Sequence, residues 1–420
     1  MTKVSMIEVN NTEKNTSLPS NHLSYNERKI LNPLFRIGRI YSLCPPDFSK
    51  QRSICTWYNL YSVLVLTSLC FLCTWALINK WHVRNQYSAY SVFLFDILTV
   101  ILLTLFSISS IINAVFLKKE SIKKLLTDLM ELDYLMKEKH EFLAKRQKLI
   151  TVELIILHIL LVVSHCYDLF TNAISFKSQS YIFRIADFIN EYLMALQVLL
   201  ARNYIQSIKY KFENLNLSLM EFGQKMLQSV PKTCETLASS PQQFTFLTNH
   251  IDVHNKLCNI IDLFNSCFGL QIVGILFIGV VYATHALFLL LVYGSGKATP
   301  KTDVSVVYIL LAYIYVSLIY MIFGVIITIS CTGAIRAARR TATVCYKLLL
   351  NISLFPQALH ERVLRKELLL FGEQVSQRQI NFTGGGFLTI DYNTLHTLFG
   401  STAMNVIILL QFQKQEYGTK

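Results

Sequence analysis

Residues 384–412 read GGGFLTIDYNTLHTLFGSTAMNVIILLQF. Three glycines lead through Asp391 into an apolar stretch, 395–410, about the shortest that spans a bilayer as a helix. Yet the stretch holds Ser401, Thr402 and Asn405 in its middle and reaches an amide, Gln411, beside Phe412. A helix that only anchored a chain in lipid would gain nothing from these groups, which hydrocarbon does not solvate. At about 100° per residue, Ser401, Asn405, Ile408 and Phe412 fall on one stripe, with Met404, Ile407 and Gln411 on its shoulder. Small polar groups giving way to apolar and aromatic ones suit a water-filled path that closes on a hydrophobic gate. Helix packing through small residues is the competing reading. One helix encloses no pore, so the channel reading requires several subunits around an axis.

The rest of the chain is written for a membrane. Of its 420 residues 53% are hydrophobic and 15% charged, and the mean hydropathy is +0.41. A soluble chain carries about 25% charged residues. The net charge of +13 does not mark a nucleic-acid binder, because the Lys and Arg residues lie in blocks between apolar runs. Those runs place seven spans near 57–79, 86–117, 149–170, 181–202, 267–293, 304–330 and 394–412. Residues 1–30 contain no apolar signal core, so the first run is expected to direct insertion. Counted from Arg36 onward, the segments on one side hold 26 Lys and Arg, those on the other 7 with Lys80 and Arg84 among them, which puts the amino terminus in the cytoplasm and the carboxyl terminus outside. That orientation excludes a G-protein-coupled receptor, as does the lack of a DRY-type triplet after the third span and an NPxxY-type turn in the seventh. The sequons Asn10, Asn15, Asn216, Asn351 and Asn381 then all lie inside and are expected to carry no glycan.

The expected fold is therefore an all-α membrane protein whose helices extend into a cytoplasmic bundle. Residues 118–148 and 331–380 carry Leu at helical spacing (Leu125, Leu129, Leu132; Leu348, Leu349) among Glu, Lys and Arg, as such extensions would. Interfacial helices on the inner leaflet are the alternative. The stretch 230–243, with Pro231 and Pro241, reads as a surface loop. The divisions are a cytoplasmic segment 1–56, a six-helix ligand-binding region 57–330, a cytoplasmic helical anchor 331–391, a pore-lining helix 392–412 and an extracellular tail 413–420.

Ionisable groups inside spans cost about 2.5–3.5 kcal/mol each at mid-bilayer, so their placement is informative. The topology gathers several in the outer halves of the helices: Asp96, then His165 and Asp168, then Arg184, Asp187 and Glu191, with Tyr282, His285, Tyr308 and Tyr313 at similar depth. Carboxylates, one Arg, two His and aromatic walls have the character of a small-molecule pocket. The alternative is that Arg184 pairs with Asp187 or Asp96 only to hold helices together. No catalytic, metal or cofactor signature is present: Cys70 and Cys73 lack His or acidic neighbours, and Gly294-Ser-Gly-Lys297 is followed by Ala298 rather than a hydroxyl residue.

The carboxyl end resembles the insect gustatory receptors, relatives of the insect odorant receptors. Their signature is Thr-Tyr, five hydrophobic residues and Gln-Phe; here 406–410 followed by Gln411 and Phe412 match, while Met404 and Asn405 stand in place of Thr-Tyr. The approach through Phe382-Thr-Gly-Gly-Gly-Phe387 and Ile390-Asp391-Tyr392 is also similar to the family's. The resemblance implies a taste receptor in the plasma membrane of sensory neurons that opens a non-selective cation channel when a small external tastant binds. It implies a homo- or hetero-tetramer with the last helix around the pore, Gln411 and Phe412 at its constriction, and subunits joined through the cytoplasmic bundle. Val406 stands where sugar-tuned members carry Glu, which favours bitter plant compounds. The rival functions are a seven-helix receptor that signals through an inside partner without conducting, and a transporter.

Overall fold

Long runs of helix-forming residues without internal proline propagate cooperatively into long helices, and this chain has several. The computed structural model describes residues 26–46, 52–82, 84, 90–136, 140–175, 181–228, 240–294, 306–352 and 359–418. In chain order its helices are α1 (Asn26–Ile40), α2 (Arg52–His82), α3 (Tyr90–Ile112), α4 (Lys119–Leu135), α5 (His140–Ser175), α6 (Tyr181–Gln228), α7 (Ser240–Gly294), α8 (Val306–Asn351), α9 (Leu359–Gln377) and α10 (Tyr392–Gly418). A π-helical turn, Asn113–Leu117, joins α3 to α4, and an antiparallel hairpin of β1 (Thr383–Gly384) and β2 (Leu388–Thr389) precedes α10.

Five helices are long and apolar enough to cross a membrane by length and composition: Thr56–His82, Tyr90–Leu117, Lys145–Tyr167, Phe244–Tyr293 and Leu310–Asn351, among the described residues. The other two expected spans fall on α6, which is interrupted by Asp187, Asn190 and Glu191, and on α10, which is interrupted by Ser401 and Asn405. The outward faces of α2 and α5 are lined by exposed apolar side chains such as Trp57, Leu64, Phe71, Ile155, Ile159 and Val163. That is how a helix presents itself to lipid rather than to water. Cys70 is exposed on the same face of the molecule, and Cys73 is half-buried.

The 55 residues of α7 span about 80 Å, roughly twice the full thickness of a bilayer. With α6 and α8 it forms a continuous core that runs past the apolar zone into a second layer built with α4 and α9. There Leu125, Leu129 and Leu132 of α4 are fully buried, as their spacing predicts. In the same layer α8 becomes amphipathic. Ala334, Ala338, Thr341 and Cys345 pack inward at helical spacing, while Arg336, Arg339 and Arg340 face out. Small residues let α6 and α8 approach closely enough for Asn216 to donate to the Ala337 carbonyl at 2.8 Å. Lys211 of α6 is fully buried and pairs with Asp133 of α4, and Arg146 of α5 donates to Ser207 Oγ and the Asn203 carbonyl. Residues 331–351 thus continue α8 without a break, and α9 is a separate helix packed on it. Of the loop expected at 230–243, residues 229–239 lie outside the described residues, and from Ser240 the chain is helical.

The three glycines do not simply lead into the last helix. Gly385 and Gly386 have φ of +61° and +82°, left-handed positions that favour glycine, and with Phe387 they form the three-residue loop between the paired Gly384 and Leu388. Phe387 N–H closes the turn onto the Gly384 carbonyl at 3.3 Å, and Ile390 N–H reaches the Phe382 carbonyl at 2.9 Å. Asp391 then caps α10: its carboxylate accepts from Thr394 N–H at 2.9 Å and from Thr394 Oγ1 at 3.1 Å. Asp391→Ala is expected to cost about 1 kcal/mol and to fray the first turn of α10. Faster amide exchange confined to the start of α10 would verify it, and unchanged exchange there would refute the cap.

Candidate functional site

Two polar clusters stand out: one inside the apolar helical bundle and one on α10. In the first, Asp96 of α3 and Asp187 of α6 face each other across a cation that sequence reasoning did not place there. Lys80, assigned above to an outer loop, lies within α2, is 1% exposed, and brings its Nζ to 3.1 Å from Asp96 Oδ2 and 3.3 Å from Asp187 Oδ2. Three helices are thereby tied through one ammonium. Lys80 is followed by Trp81 and His82 within α2, so it belongs to the helix and not to the loop after it. The alternative reading of the sequence pairs Arg184 with one of these carboxylates; its side chain lies outside the described residues, as do those of Asp168, Tyr308 and Phe412.

Beside this triad, His285 of α7 lies between Phe95 of α3, stacked at 5.1 Å, and Tyr313 of α8 at 4.8 Å. It is 1% exposed, and neither ring nitrogen has a hydrogen-bond partner among the described residues. One turn earlier on α7, Tyr282 packs on Tyr320 of α8 at 4.2 Å. His165 of α5 packs on Phe188 of α6 at 4.4 Å. A second histidine on α5, His158, was missed by sequence reasoning and meets Tyr192 Oη at 2.7 Å. Glu191 borders a recess between α5, α6 and α8, shared with Leu161, Ser164, Val316, Ile319, Tyr320 and Phe323, that has room for about one water molecule. The structure therefore brings Asp96, Asp187, Tyr282, His285 and Tyr313 together with Lys80, and puts Glu191 on the flank of the cluster.

The second cluster is α10. Leu398, Thr402, Val406 and the pair Leu409 and Leu410 recur at i, i+4 and turn toward α7 and α8; Leu409 and Leu410 pack on Val92, Phe288, Leu289 and Val292. Ser401, Asn405, Ile408 and Gln411 lie on the exposed side, with Met404 and Ile407 also exposed. Among the described residues no group of three or more His, Cys, Asp or Glu side chains converges as a metal site.

A stack of long helices with lipid-type outer faces, buried ions and an uncovered polar stripe on its last helix defines a multi-pass membrane protein of receptor or channel type. The family model described as 7tm Chemosensory receptor matches residues 31–416, so the chain belongs to that family. The resemblance to insect gustatory receptors is borne out by a relative, Putative gustatory receptor 28a of Drosophila melanogaster, 29% identical over 164 residues. That match covers 39% of this chain and about a third (34%) of the relative's length. Among solved structures, the insect olfactory receptor OR5 from Machilis hrabei aligns over 92% of this chain and 98% of its own, with a TM-score of 0.63 and 13% identity. A structure of the same receptor in complex with eugenol aligns over the same shares with a TM-score of 0.49 and 15% identity. The fold is thus that of an insect chemosensory receptor, and membership of this family points to a receptor or channel rather than an enzyme.

Proposed function

We propose that this chain is a gustatory receptor subunit acting as a ligand-gated, non-selective cation channel, with seven spans, a cytoplasmic amino terminus and α10 lining the pore. One observation carries the reading: Ser401, Asn405 and Gln411 are left uncovered by their own chain on a helix whose other side is packed. In a bilayer such groups need water or another subunit, because lipid satisfies neither hydroxyl nor amide. A ring of subunits with these stripes turned to a common axis supplies both. Four copies, as the family resemblance implies, place Ser401 and Asn405 along the path, with Ile408, Gln411 and Phe412 toward its outer constriction. In this reading the basic layer of α4, α9 and the extended α6–α8 lies in the cytoplasm and joins the subunits, and residues 413–420 lie outside. The chain acts in the plasma membrane of a sensory neuron.

The tastant site is centred on Asp96, Asp187, Tyr282, His285 and Tyr313, with His165 and Glu191 near them; Asp168, Arg184 and Tyr308 are assigned to it from the sequence. His285 supports it, since a buried imidazole with both nitrogens unsatisfied is unfavourable until something bonds to it. A plant-derived bitter compound suits the site better than a sugar, whose many hydroxyls would find few unengaged partners among these aromatic walls.

Charge substitution tests the pore directly. In cells lacking other receptors, Asn405→Asp is expected to raise cation current and Asn405→Lys to cut it about tenfold or more, at equal surface expression. Identical conductance and ion selectivity in wild type and both variants would remove α10 from the pore. Conduction that required a nucleotide or a separate intracellular partner would favour the non-conducting receptor.

A further inference from the structure

The hairpin before α10 is held to α7 by an unusual clasp. Asn265 of α7 donates from Nδ2 to the Asn381 carbonyl at 2.9 Å and accepts at Oδ1 from Thr383 N–H at 3.1 Å. A carbonyl and an N–H two residues apart on a strand point to the same side, so this one amide pairs with β1 as a neighbouring strand would. Asn is suited to the position because its short side chain offers a donor and an acceptor together. One turn on, Gly269 lets the backbones meet: a Cβ there would lie 2.7 Å from Thr383 O and 2.9 Å from Gly385 N. Gly384 in turn leaves room for Val273, whose Cγ2 would stand 2.4 Å from any Cβ. Phe264 and Phe382 close the contact edge to face at 5.5 Å. From the clasp to the start of α10 the chain stays bonded, through β2, the Thr394 hydroxyl on the Thr389 carbonyl, and the Asp391 cap.

The other end of the same helix carries Tyr282 and His285. No proline or gap interrupts α7 between Asn265 and His285, so about 30 Å of continuous helix separates them. We propose that Asn265 is a positioning residue for gating, which fixes the start of the pore helix to α7 so that displacement of α7 at the tastant site is transmitted to α10. The inference rests on the channel reading above and adds a point of coupling at the start of the pore helix, beside the direct packing of Leu409 and Leu410 on α7 near His285. Coupling across such a distance needs a stiff element fastened at both ends, and the clasp is the fastening at one of them.

The test uses the purified full-length chain without ligand, comparing wild type with Asn265→Asp, nearly isosteric and retaining only the acceptor, and Asn265→Leu, which retains neither function. Amide exchange over 383–395 is expected to quicken about tenfold in Asn265→Leu and less in Asn265→Asp, with α6 unchanged. In planar bilayers of phosphatidylcholine and phosphatidylglycerol, ligand-free open probability is expected to rise in the same order, about tenfold for Asn265→Leu, with unitary conductance unchanged. A purely structural role would lower the yield of folded protein without moving open probability, and Asn265→Asp answers the question if Asn265→Leu does not fold. Unchanged exchange overturns the clasp. Faster exchange with unchanged opening, in a preparation where wild type conducts, overturns the coupling. Absence of current from wild type under every condition sinks the channel reading itself, and the gating role with it.

Discussion

Lys80→Met is expected to be among the most damaging single changes in the chain, costing about 3–5 kcal/mol. Methionine keeps the apolar stem but removes the ammonium that faces Asp96 at 3.1 Å and Asp187 at 3.3 Å. Lys80 is 1% exposed and Asp96 4%, so water cannot take its place without opening the bundle. Much of the cost comes from leaving Asp96 and Asp187 without the ammonium that they face, not from losing an attraction. The combined variant Lys80→Met, Asp96→Asn, Asp187→Asn is therefore expected to regain most of the loss, because amides need only hydrogen bonds. Thermal unfolding in detergent and surface expression measure both. If the single variant unfolds at the wild-type temperature, the triad does not hold α2, α3 and α6 together; if the triple variant is worse than the single, the carboxylates serve the fold by some means other than their charge.

Phe382→Ala is expected to cost about 3–5 kcal/mol for a different reason, a cavity. Phe382 is fully buried, meets Phe264 edge to face, and precedes the strand that docks on α7. Deleting the ring removes dispersion contacts that the surrounding helices cannot easily collapse to replace. The damage should be local at first: protection of the hairpin and the start of α10 falls before that of α6 or α8. Phe382→Leu, which fills most of the space, should recover about half of the stability. Equal losses for Ala and Leu would show that ring geometry outweighs volume, and no loss with either would mean that the hairpin is not anchored by its core.

The helical frame was legible in the sequence because hydropathy and helical period are local signals. Leu125, Leu129 and Leu132 announced a buried face and have one, and α8 continues beyond the apolar zone as its patterning indicates; the long extension of α7 before residue 267 reads as a loop in the sequence. Lys80 was not legible as a core residue. The charge count that orients membrane helices treats a lysine at a helix end as a loop lysine, and only the positions of Asp96 and Asp187 in space reveal otherwise. The hairpin was hidden for a related reason: consecutive glycines mark a turn, but strands of two residues leave too little alternation to read. Asn265 could not have been found at all, since its partners are more than a hundred positions away and are backbone atoms. His285 was legible as a polar group in an apolar helix; that both its nitrogens are unsatisfied was not.

Met404 and Asn405, where the chain departs from the gustatory Thr-Tyr, both stand on the uncovered side of α10, whereas Thr402 and Val406 on either side of them are buried. Nothing in the folding of a single subunit constrains what occupies 404 and 405. In the proposed channel, chains that share the packed side and differ at these two positions are therefore interchangeable as building blocks, and an assembly that mixed them would acquire a new inner surface without any of its members learning a new fold.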